Sequence, residues 1–204
     1  MNLYPLGRAA TGLLVRIVFR IKHEGLENIP PDGGYILACN HRSNFDPLII
    51  AQNIPVQVRY LAKMELLKNP VAGFIIRRLG IIPIKRGEGD NSAIETAGQI
   101  VKDGGVLGVF PEGSRSKDGV PLRPRSGVAV IAGQTGADVL PMAITYRKGV
   151  RFGSTVTVRY GPMIPNSEIG VDTSSPASLR QASKFVMDKI ISLMDPPDPV
   201  DGDS

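Results

Sequence analysis

YILACNHRSNFDP, residues 35–47, decides the fold, because a short apolar run leads directly into a polar turn that ends in aspartate and proline. The run at residues 35–39 follows a turn cluster at residues 30–34 and has the length of a buried strand. Aspartate before proline is a typical helix start, with Asp46 as the N-cap and Pro47 at the first helical position. The stretch therefore predicts a strand, a loop that carries His41, and a helix.

Similar apolar runs recur along the chain and alternate with helix-length patterns. The predicted strands lie at residues 58–62, 81–84, 106–110, 139–146 and 155–160, and the predicted helices at 65–79, 91–102, 127–135 and 177–194. This alternation indicates an α/β fold, a single layered domain with a mostly parallel or mixed sheet flanked by helices. A chain of 204 residues has room for one such domain with a substantial core.

The first 24 residues are predicted to form an N-terminal amphipathic helix at a membrane interface. Its apolar residues recur at helical spacing, with three arginines beside them: Leu6, Ala10, Leu13, Leu14, Ile17, Val18 and Ile21, flanked by Arg8, Arg16 and Arg20. The stripe is equally typical of a helix packed on the core, and both interpretations hold if only part of it is covered. Arginines interrupt every long apolar run before the about 18 residues that a spanning helix needs.

The folded domain is predicted at residues 25–194, followed by an acidic, proline-rich tail, DPPDPVDGDS, at 195–204, which is predicted to be disordered. The chain carries a formal net charge of +5, which suits a partner rich in phosphate. Aromatic residues make up only 5% of the chain and tryptophan is absent, so nucleic acid is not an expected partner. The single cysteine fits a reducing compartment.

His41 is the better placed of the two histidines, because it follows a strand of the predicted sheet and precedes Asp46 by five residues. A carboxylate on one ring nitrogen fixes the tautomer and stabilises the imidazolium when the other nitrogen takes a proton. The pattern predicts a general-base pair. This segment alone is equally compatible with Asp46 as only a helix cap and His41 as a hydrogen-bonded loop residue. His23, beside Glu24 at a predicted helix end, is expected to be structural.

The protein offers no obvious nucleophile of its own. The G-x-S-x-G elbow of serine hydrolases is absent from the sequence, and Cys39 lies in an apolar run typical of an inert core cysteine. Two distant histidines and one cysteine do not form the usual zinc-ligand clusters, so we expect no metal site. The nucleophile is therefore expected to belong to the substrate.

Two more segments carry polar residues after predicted strands. FPEGSRSKDG, at 110–119, contains Glu112, Gly113, Ser114 and Arg115, of which the arginine can grip a phosphate through its planar fork. GIIPIKR, at 80–86, ends in two cations, Lys85 and Arg86. Taken singly, the first segment is more typical of a surface turn with an exposed ion pair, and the second is equally typical of solvated strand-edge charges. Arg123 and Arg125 are expected to attract an anionic ligand at long range only.

Four segments together, NHRSNFDP, GIIPIKR, FPEGSRS and VLPMAI, resemble in order and spacing the motif blocks of the glycerolipid acyltransferase family, of the 1-acylglycerol-3-phosphate acyltransferase type. The resemblance covers residues 25–160, and its signature is the asparagine-histidine pair, then four intervening residues, then aspartate. Ser114 stands where many members have threonine, which keeps the hydroxyl.

The resemblance implies a site and a reaction. His41 would be the base and Asp46 its partner, while the acceptor's phosphoglycerol group would be bound by Lys85, Arg86, Glu112, Gly113, Ser114 and Arg115. The free hydroxyl of lysophosphatidate would attack the thioester of acyl-CoA or acyl carrier protein, without a metal or further cofactor. Pro141 belongs to the fourth block.

The amphipathic first helix, the interrupted apolar runs and the single cysteine together predict a peripheral or monotopic protein on the cytoplasmic face of the cell membrane. Two alternatives stay open. One is acylation of another acceptor, such as glycerol 3-phosphate or a lyso-ornithine lipid, and the other is a peripheral lipid-binding protein without catalysis.

Overall fold

The computed structural model describes residues 4–63, 82–84 and 90–195. Its strands, in chain order, are β1 (Arg20–Glu24), β2 (Tyr35–Cys39), β3 (Val58–Lys63), β4 (Ile82–Ile84), β5 (Val106–Val109), β6 (Val139–Tyr146) and β7 (Thr155–Tyr160). Within the described ranges these seven strands form one sheet in the order β1-β7-β6-β2-β5-β3-β4. Only the β6–β7 pair among them is antiparallel, so the predicted mostly parallel sheet is confirmed.

The described helices cover both faces of the sheet, as the alternation of patterns predicts. They are α1 (Tyr4–Val18), α2 (Asp46–Ile50), α3 (Asp90–Lys102), α4 (Gly127–Thr135), α5 (Asn166–Ile169) and α6 (Pro176–Ser192), with a 3-10 turn at Leu26–Asn28. The helix predicted at residues 65–79 lies outside the described residues, and so does the tail from residue 196. Asp195, the first residue of the predicted tail, pairs with Arg159 at 2.6 Å.

Alternation along the strands divides the core into two layers. Leu37 and Cys39 of β2 point to the layer that α1 and α2 cover, whereas Ile36 and Ala38 point to the layer beneath the other long helices. All four side chains are fully buried. A strand that is buried on both faces reads as a continuous apolar run, which explains why YILAC contains no polar residue.

The predicted N-terminal helix of 24 residues is wrong in its second part, because α1 ends at Val18 and Arg20–Glu24 form β1. The side chains of RIKHE alternate between exposed and half-buried, which is the period of a strand and not of a helix. β1 pairs in parallel with β7, from Arg20 opposite Thr155 to Glu24 opposite Arg159. Burial of Ile21 against the core and pairing with β7 therefore override the helical spacing that preceded them.

α1 packs on the core with one side and exposes the other. Val15 is fully buried, and its neighbours on the opposite side, Leu13, Leu14 and Ile17, are 64%, 44% and 61% exposed. The buried face of α1 is therefore rotated away from the predicted apolar stripe, and Leu13, Leu14 and Ile17 of that stripe are exposed to solvent. In the described part of the chain, no helix combines the length and the apolar character needed to cross a bilayer.

Candidate active site

The site lies at the carboxyl edge of the sheet, which we define as the ends of β2, β5 and β6. These three strands run parallel, with β2 in the middle, so the segments that follow them emerge side by side. His41 follows β2, and Glu112 follows β5. Tyr146 is the last residue of β6. The fold thus brings together residues that are up to about a hundred positions apart in the sequence.

His41 and Asp46 form the central pair. His41 Nδ1 lies 2.8 Å from Asp46 Oδ2, and the exposed fractions of the two side chains are 18% and 0%. The His41 ring also stacks on Phe110, with ring centroids 4.0 Å apart and an angle of 16° between the planes. A carboxylate on Nδ1 favours the tautomer in which Nδ1 carries the proton and Nε2 is free to accept one. The geometry is that of an oriented general base.

Asp46 is not the N-cap that the sequence predicts, because it is the first helical residue and Phe45 occupies the cap position. Its carboxylate points back into the loop. Besides His41, Oδ2 accepts hydrogen bonds from the backbone N–H groups of Arg42 (2.6 Å) and Ser43 (2.7 Å). These donors precede the helix, and they compensate the removal of the carboxylate from water.

The second oxygen of Asp46, Oδ1, accepts a hydrogen bond of 2.6 Å from the hydroxyl of Tyr146. Burial, and next the neighbouring carboxylate, raise the pKa of Tyr146, so the phenol stays protonated and donates at neutral pH. Asp46 thus accepts from four donors that together fix the plane of its carboxylate. This arrangement holds the oxygen that faces His41 in one position.

Glu112 supports the same loop from β5. Its Oε1 accepts from the backbone N–H of His41 at 2.8 Å, and its Oε2 accepts from the N–H of Leu122 at 2.7 Å. The residue is 3% exposed, and burial raises the pKa of its carboxyl group, against the lowering effect of these two hydrogen bonds. Because the chain's own backbone occupies both oxygens, Glu112 positions the His41 loop in this structure and contacts a ligand only if these bonds rearrange.

The next three residues of this block are exposed beside the loop. Gly113 has a φ of +67°, a left-handed conformation that favours glycine; a Cβ there would lie 2.7 Å from the exposed Arg125 side chain, which would have to move aside. Ser114 and Arg115 are solvent-exposed. Arg115 Nη1 donates to Asn44 Oδ1 at 2.9 Å, which ties this guanidinium to the His41 loop. An exposed arginine bonded to the loop that carries His41 is well placed to receive an anionic group.

The remaining predicted residues fall into different places. Lys85 and Arg86 lie outside the described residues. Pro141 is buried in β6 opposite Ala38 of β2, and Cys39 is fully buried with a thiol pKa raised by that burial. In the part of the chain that the structure describes, no three His, Cys, Asp or Glu side chains are grouped as metal ligands.

His23 is not at a helix end, as the sequence predicts, but inside β1. Its Nδ1 lies 3.2 Å from the hydroxyl of Tyr160, and burial, followed by the charge of Arg16, lowers the pKa of its imidazole. The ring therefore stays neutral to lower pH than a free histidine. It has the surroundings of a structural residue, in the edge strand β1, which β7 and β6 separate from β2.

Three residues of the site were given no role from the sequence, although Asn40 and Phe110 lie within the first and third motif blocks. Asn40 is buried and exchanges two hydrogen bonds with the backbone of Ile144, so it ties the end of β2 to β6. Phe110 and Tyr146 contact the pair from β5 and β6. For Tyr146 the available signal was its position, because all three residues lie at or just beyond the end of a predicted strand.

A layered, mostly parallel sheet with a carboxylate-oriented histidine at its strand ends defines an α/β protein equipped for proton transfer. The profile of a family described simply as acyltransferase matches residues 20–145, which is more than half of the chain. The chain belongs to this acyltransferase family.

Named relatives agree with the family assignment. A 1-acyl-sn-glycerol-3-phosphate acyltransferase of Bacillus subtilis strain 168 is 33% identical over 60% of this chain and 61% of its own length. One of Streptococcus pneumoniae R6 is 32% identical over 78% of this chain and 62% of its own length. This chain thus matches about three-fifths of the length of both relatives.

A solved structure also resembles this one over nearly the whole chain. The crystal structure of the 1-acyl-sn-glycerophosphate (LPA) acyltransferase PlsC from Thermotoga maritima superposes with a TM-score of 0.66 at 27% identity. The match covers 94% of this chain and 78% of that one. It includes the N-terminal helix and the sheet described above, so the fold is a PlsC-like fold.

Proposed function

We propose that this acyltransferase moves a fatty acyl group from acyl-CoA or acyl carrier protein to the free hydroxyl of 1-acylglycerol 3-phosphate, making phosphatidate. The observation that carries the proposal is the His41–Asp46 pair, with its 2.8 Å contact between Nδ1 and Oδ2 at the carboxyl edge. The acceptor is inferred from the relatives, which are 1-acyl-sn-glycerol-3-phosphate acyltransferases. His41 is the proposed general base and Asp46 its orienting partner.

The proposed reaction proceeds by direct attack. His41 Nε2 accepts the proton of the acceptor hydroxyl while that oxygen attacks the thioester carbonyl carbon. The resulting imidazolium donates through Nδ1 to Asp46, whose buried negative charge stabilises it. When the tetrahedral intermediate collapses, the carbon–sulfur bond breaks and the imidazolium returns its proton to the leaving sulfur. The products are the ester and the free carrier thiol, and no acyl-enzyme forms.

The proposed phosphate site is formed by the exposed residues 113–115 that follow β5. Its cation is Arg115, which is hydrogen-bonded to Asn44 of the His41 loop. Ser114 and Gly113 contribute a hydroxyl and a closely approachable backbone. Lys85 and Arg86 complete the proposed site from the second block. Glu112 acts in this proposal by holding the backbone of His41.

Release of free thiol tests the proposed function directly. Purified protein, acyl-CoA and lysophosphatidate should give free CoA and phosphatidate in equal amounts, and the same assay with acyl carrier protein identifies the donor. Preference for glycerol 3-phosphate or a lyso-ornithine lipid would replace the acceptor in the proposal. No thiol release with any donor and acceptor would leave a peripheral lipid-binding protein.

Arg115→Ala should lower kcat/KM for lysophosphatidate by about 10- to 100-fold, because a hydrogen bond to a charged group contributes about 1.5–3 kcal/mol. The loss with an uncharged monoacylglycerol acceptor should be small. Arg123→Ala is the matched control, since that exposed residue is expected to act only through long-range attraction. Equal losses with both acceptors would remove Arg115 from the phosphate site.

We also propose a peripheral or monotopic position on the cytoplasmic face of the cell membrane, with the exposed side of α1 at the interface. Replacing Leu13, Leu14 and Ile17 together by serine should weaken partition onto anionic vesicles by about tenfold or more, because each loses apolar surface. Ile191→Ser, at a comparably exposed position on α6, is the control. Truncation is a poorer test, because Val15 belongs to the core. Unchanged vesicle binding of the triple variant would show that α1 has no such role.

A further inference from the structure

The loop between β6 and β7, RKGVRFGS at residues 147–154, exposes apolar side chains that no element covers. Phe152 is 78% exposed and Val150 is 42% exposed. Single exposed apolar residues are ordinary, but two of them on one eight-residue loop indicate a surface that has a partner. The proposed reaction makes no use of either side chain.

Hydrogen bonds join this loop to the end of α1. The backbone N–H of Gly153 donates to the carbonyl of Val18 at 2.8 Å, and the N–H of Arg20 donates to the carbonyl of Ser154 at 3.0 Å. Ile17 directly precedes Val18, and Phe152 directly precedes Gly153. The exposed apolar residues of the loop therefore lie next to the exposed side of α1, which carries Leu13, Leu14 and Ile17.

The loop and the α1 segment share a charge pattern. Exposed basic residues accompany the apolar ones on both segments: Arg16, Arg20, Arg147, Lys148 and Arg151. Neither residues 4–23 nor residues 139–160 contain an aspartate or a glutamate. Apolar side chains among cations, without acidic residues, complement an anionic bilayer, in which acyl chains lie beneath negative headgroups.

The same region is connected to the candidate active site. The loop begins directly after Tyr146, whose hydroxyl binds Asp46. The ring of Phe19, which follows α1, contacts the Tyr146 ring edge-on, with centroids 5.6 Å apart. A bilayer held against the loop would therefore lie at the carboxyl edge of the sheet, the side from which a lipid acceptor must reach His41.

We propose that the β6–β7 loop is a second membrane-binding element, with Phe152 and Val150 inserted into the interface of an anionic bilayer beside the exposed side of α1. The loop and the helix then contact the membrane at two points, which fixes the orientation of the sheet edge and not merely the attachment of the protein. This inference concerns lipid binding alone and holds whether or not His41 is the base.

A tryptophan reporter tests insertion, because the chain has no tryptophan of its own. In Phe152→Trp, vesicles of phosphatidylglycerol and phosphatidylcholine should shift the emission to shorter wavelength, and lipids brominated on their acyl chains should quench it. The control is Leu26→Trp, because Leu26 is 46% exposed but lies beyond the opposite end of β1. Its emission should not change. Unshifted emission from residue 152 while the protein sediments with vesicles would overturn the proposal, and so would an absence of sedimentation.

Sedimentation with vesicles measures the contribution of the loop. Phe152→Ser should weaken partition by about tenfold, as expected for removing a large apolar side chain from a buried position, and Leu26→Ser should bind like the parent protein. The measurement is made in a His41→Ala background, so lipid binding is read without turnover. If the protein with His41 intact shows no acyl transfer while the Phe152 and Leu26 variants still differ in vesicle binding, the proposed function is refuted and the membrane role of the loop is supported. Equal binding of the Phe152 and Leu26 variants would refute the loop alone.

Discussion

His41→Ala should lose about 100- to 10,000-fold in kcat, the range that a positioned general base contributes. The expected loss is large because the described residues bring no second histidine to the carboxyl edge, and the neighbouring acids, Asp46 and Glu112, are buried and already hydrogen-bonded. The variant should remain folded, since the His41 ring is partly exposed and its backbone contact to Glu112 does not depend on the side chain. Initial rates of thiol release, with urea unfolding measured in parallel, check both expectations.

The other histidine supplies a matched control. His23→Ala removes an imidazole that contacts the Tyr160 hydroxyl, so it should lower the free energy of unfolding by about 1 kcal/mol and leave kcat near the parent value. Parent-like turnover by purified His41→Ala, with contaminating acyltransferase excluded, would refute the proposed mechanism. A similar loss of kcat in both variants would indicate a general effect of destabilisation.

Much of the fold was predictable because strand and helix periodicity are local properties. YILAC is apolar throughout since β2 is buried on both faces, and its boundaries agree with the prediction. β1 could not be predicted in this way, because its strand conformation depends on a distant pairing and not on local periodicity. Residues 19–21 continue the apolar spacing of α1, and only pairing with β7, more than a hundred residues later, makes them a strand.

The site was predictable to the extent that its parts share one short segment. His41 and Asp46 lie five residues apart, so a loop between a strand and a helix already places them within reach. The direction of the Asp46 side chain was not predictable, because capping the helix and binding the preceding loop are both compatible with aspartate before proline. Tyr146 could not be assigned either, because its distance from Asp46 depends on the order of strands in the sheet.

Asp46→Asn should reduce kcat by about 100-fold or more while leaving the loop closed. The two backbone N–H donors at Oδ2 require an acceptor there, so the asparagine oxygen should take that position and its NH₂ group should face Tyr146. The tyrosine hydroxyl can rotate its proton and accept. His41 then keeps a neutral partner on Nδ1, and what is lost is the negative charge that stabilises the imidazolium.

Asp46→Ala separates this charge from the structural role of the carboxylate. It leaves the N–H groups of half-buried Arg42 and buried Ser43 without an acceptor, at about 1–3 kcal/mol for an unsatisfied buried group, so it should lower the free energy of unfolding far more than the asparagine does. Tyr146→Phe removes only the bond to Oδ1 and serves as the control for carboxylate orientation without a change of charge.

The asparagine and alanine variants distinguish a catalytic role of the Asp46 charge from a purely structural role of its carboxylate. If its charge serves catalysis, asparagine should show parent-like unfolding in urea and a large loss of kcat, while alanine should lose both. If the carboxylate only holds the loop, asparagine should turn over at the parent rate, because it preserves the acceptor that the loop requires. Parent-like kcat in Asp46→Asn would therefore remove Asp46 from the proton-transfer step and leave His41 as an unassisted base.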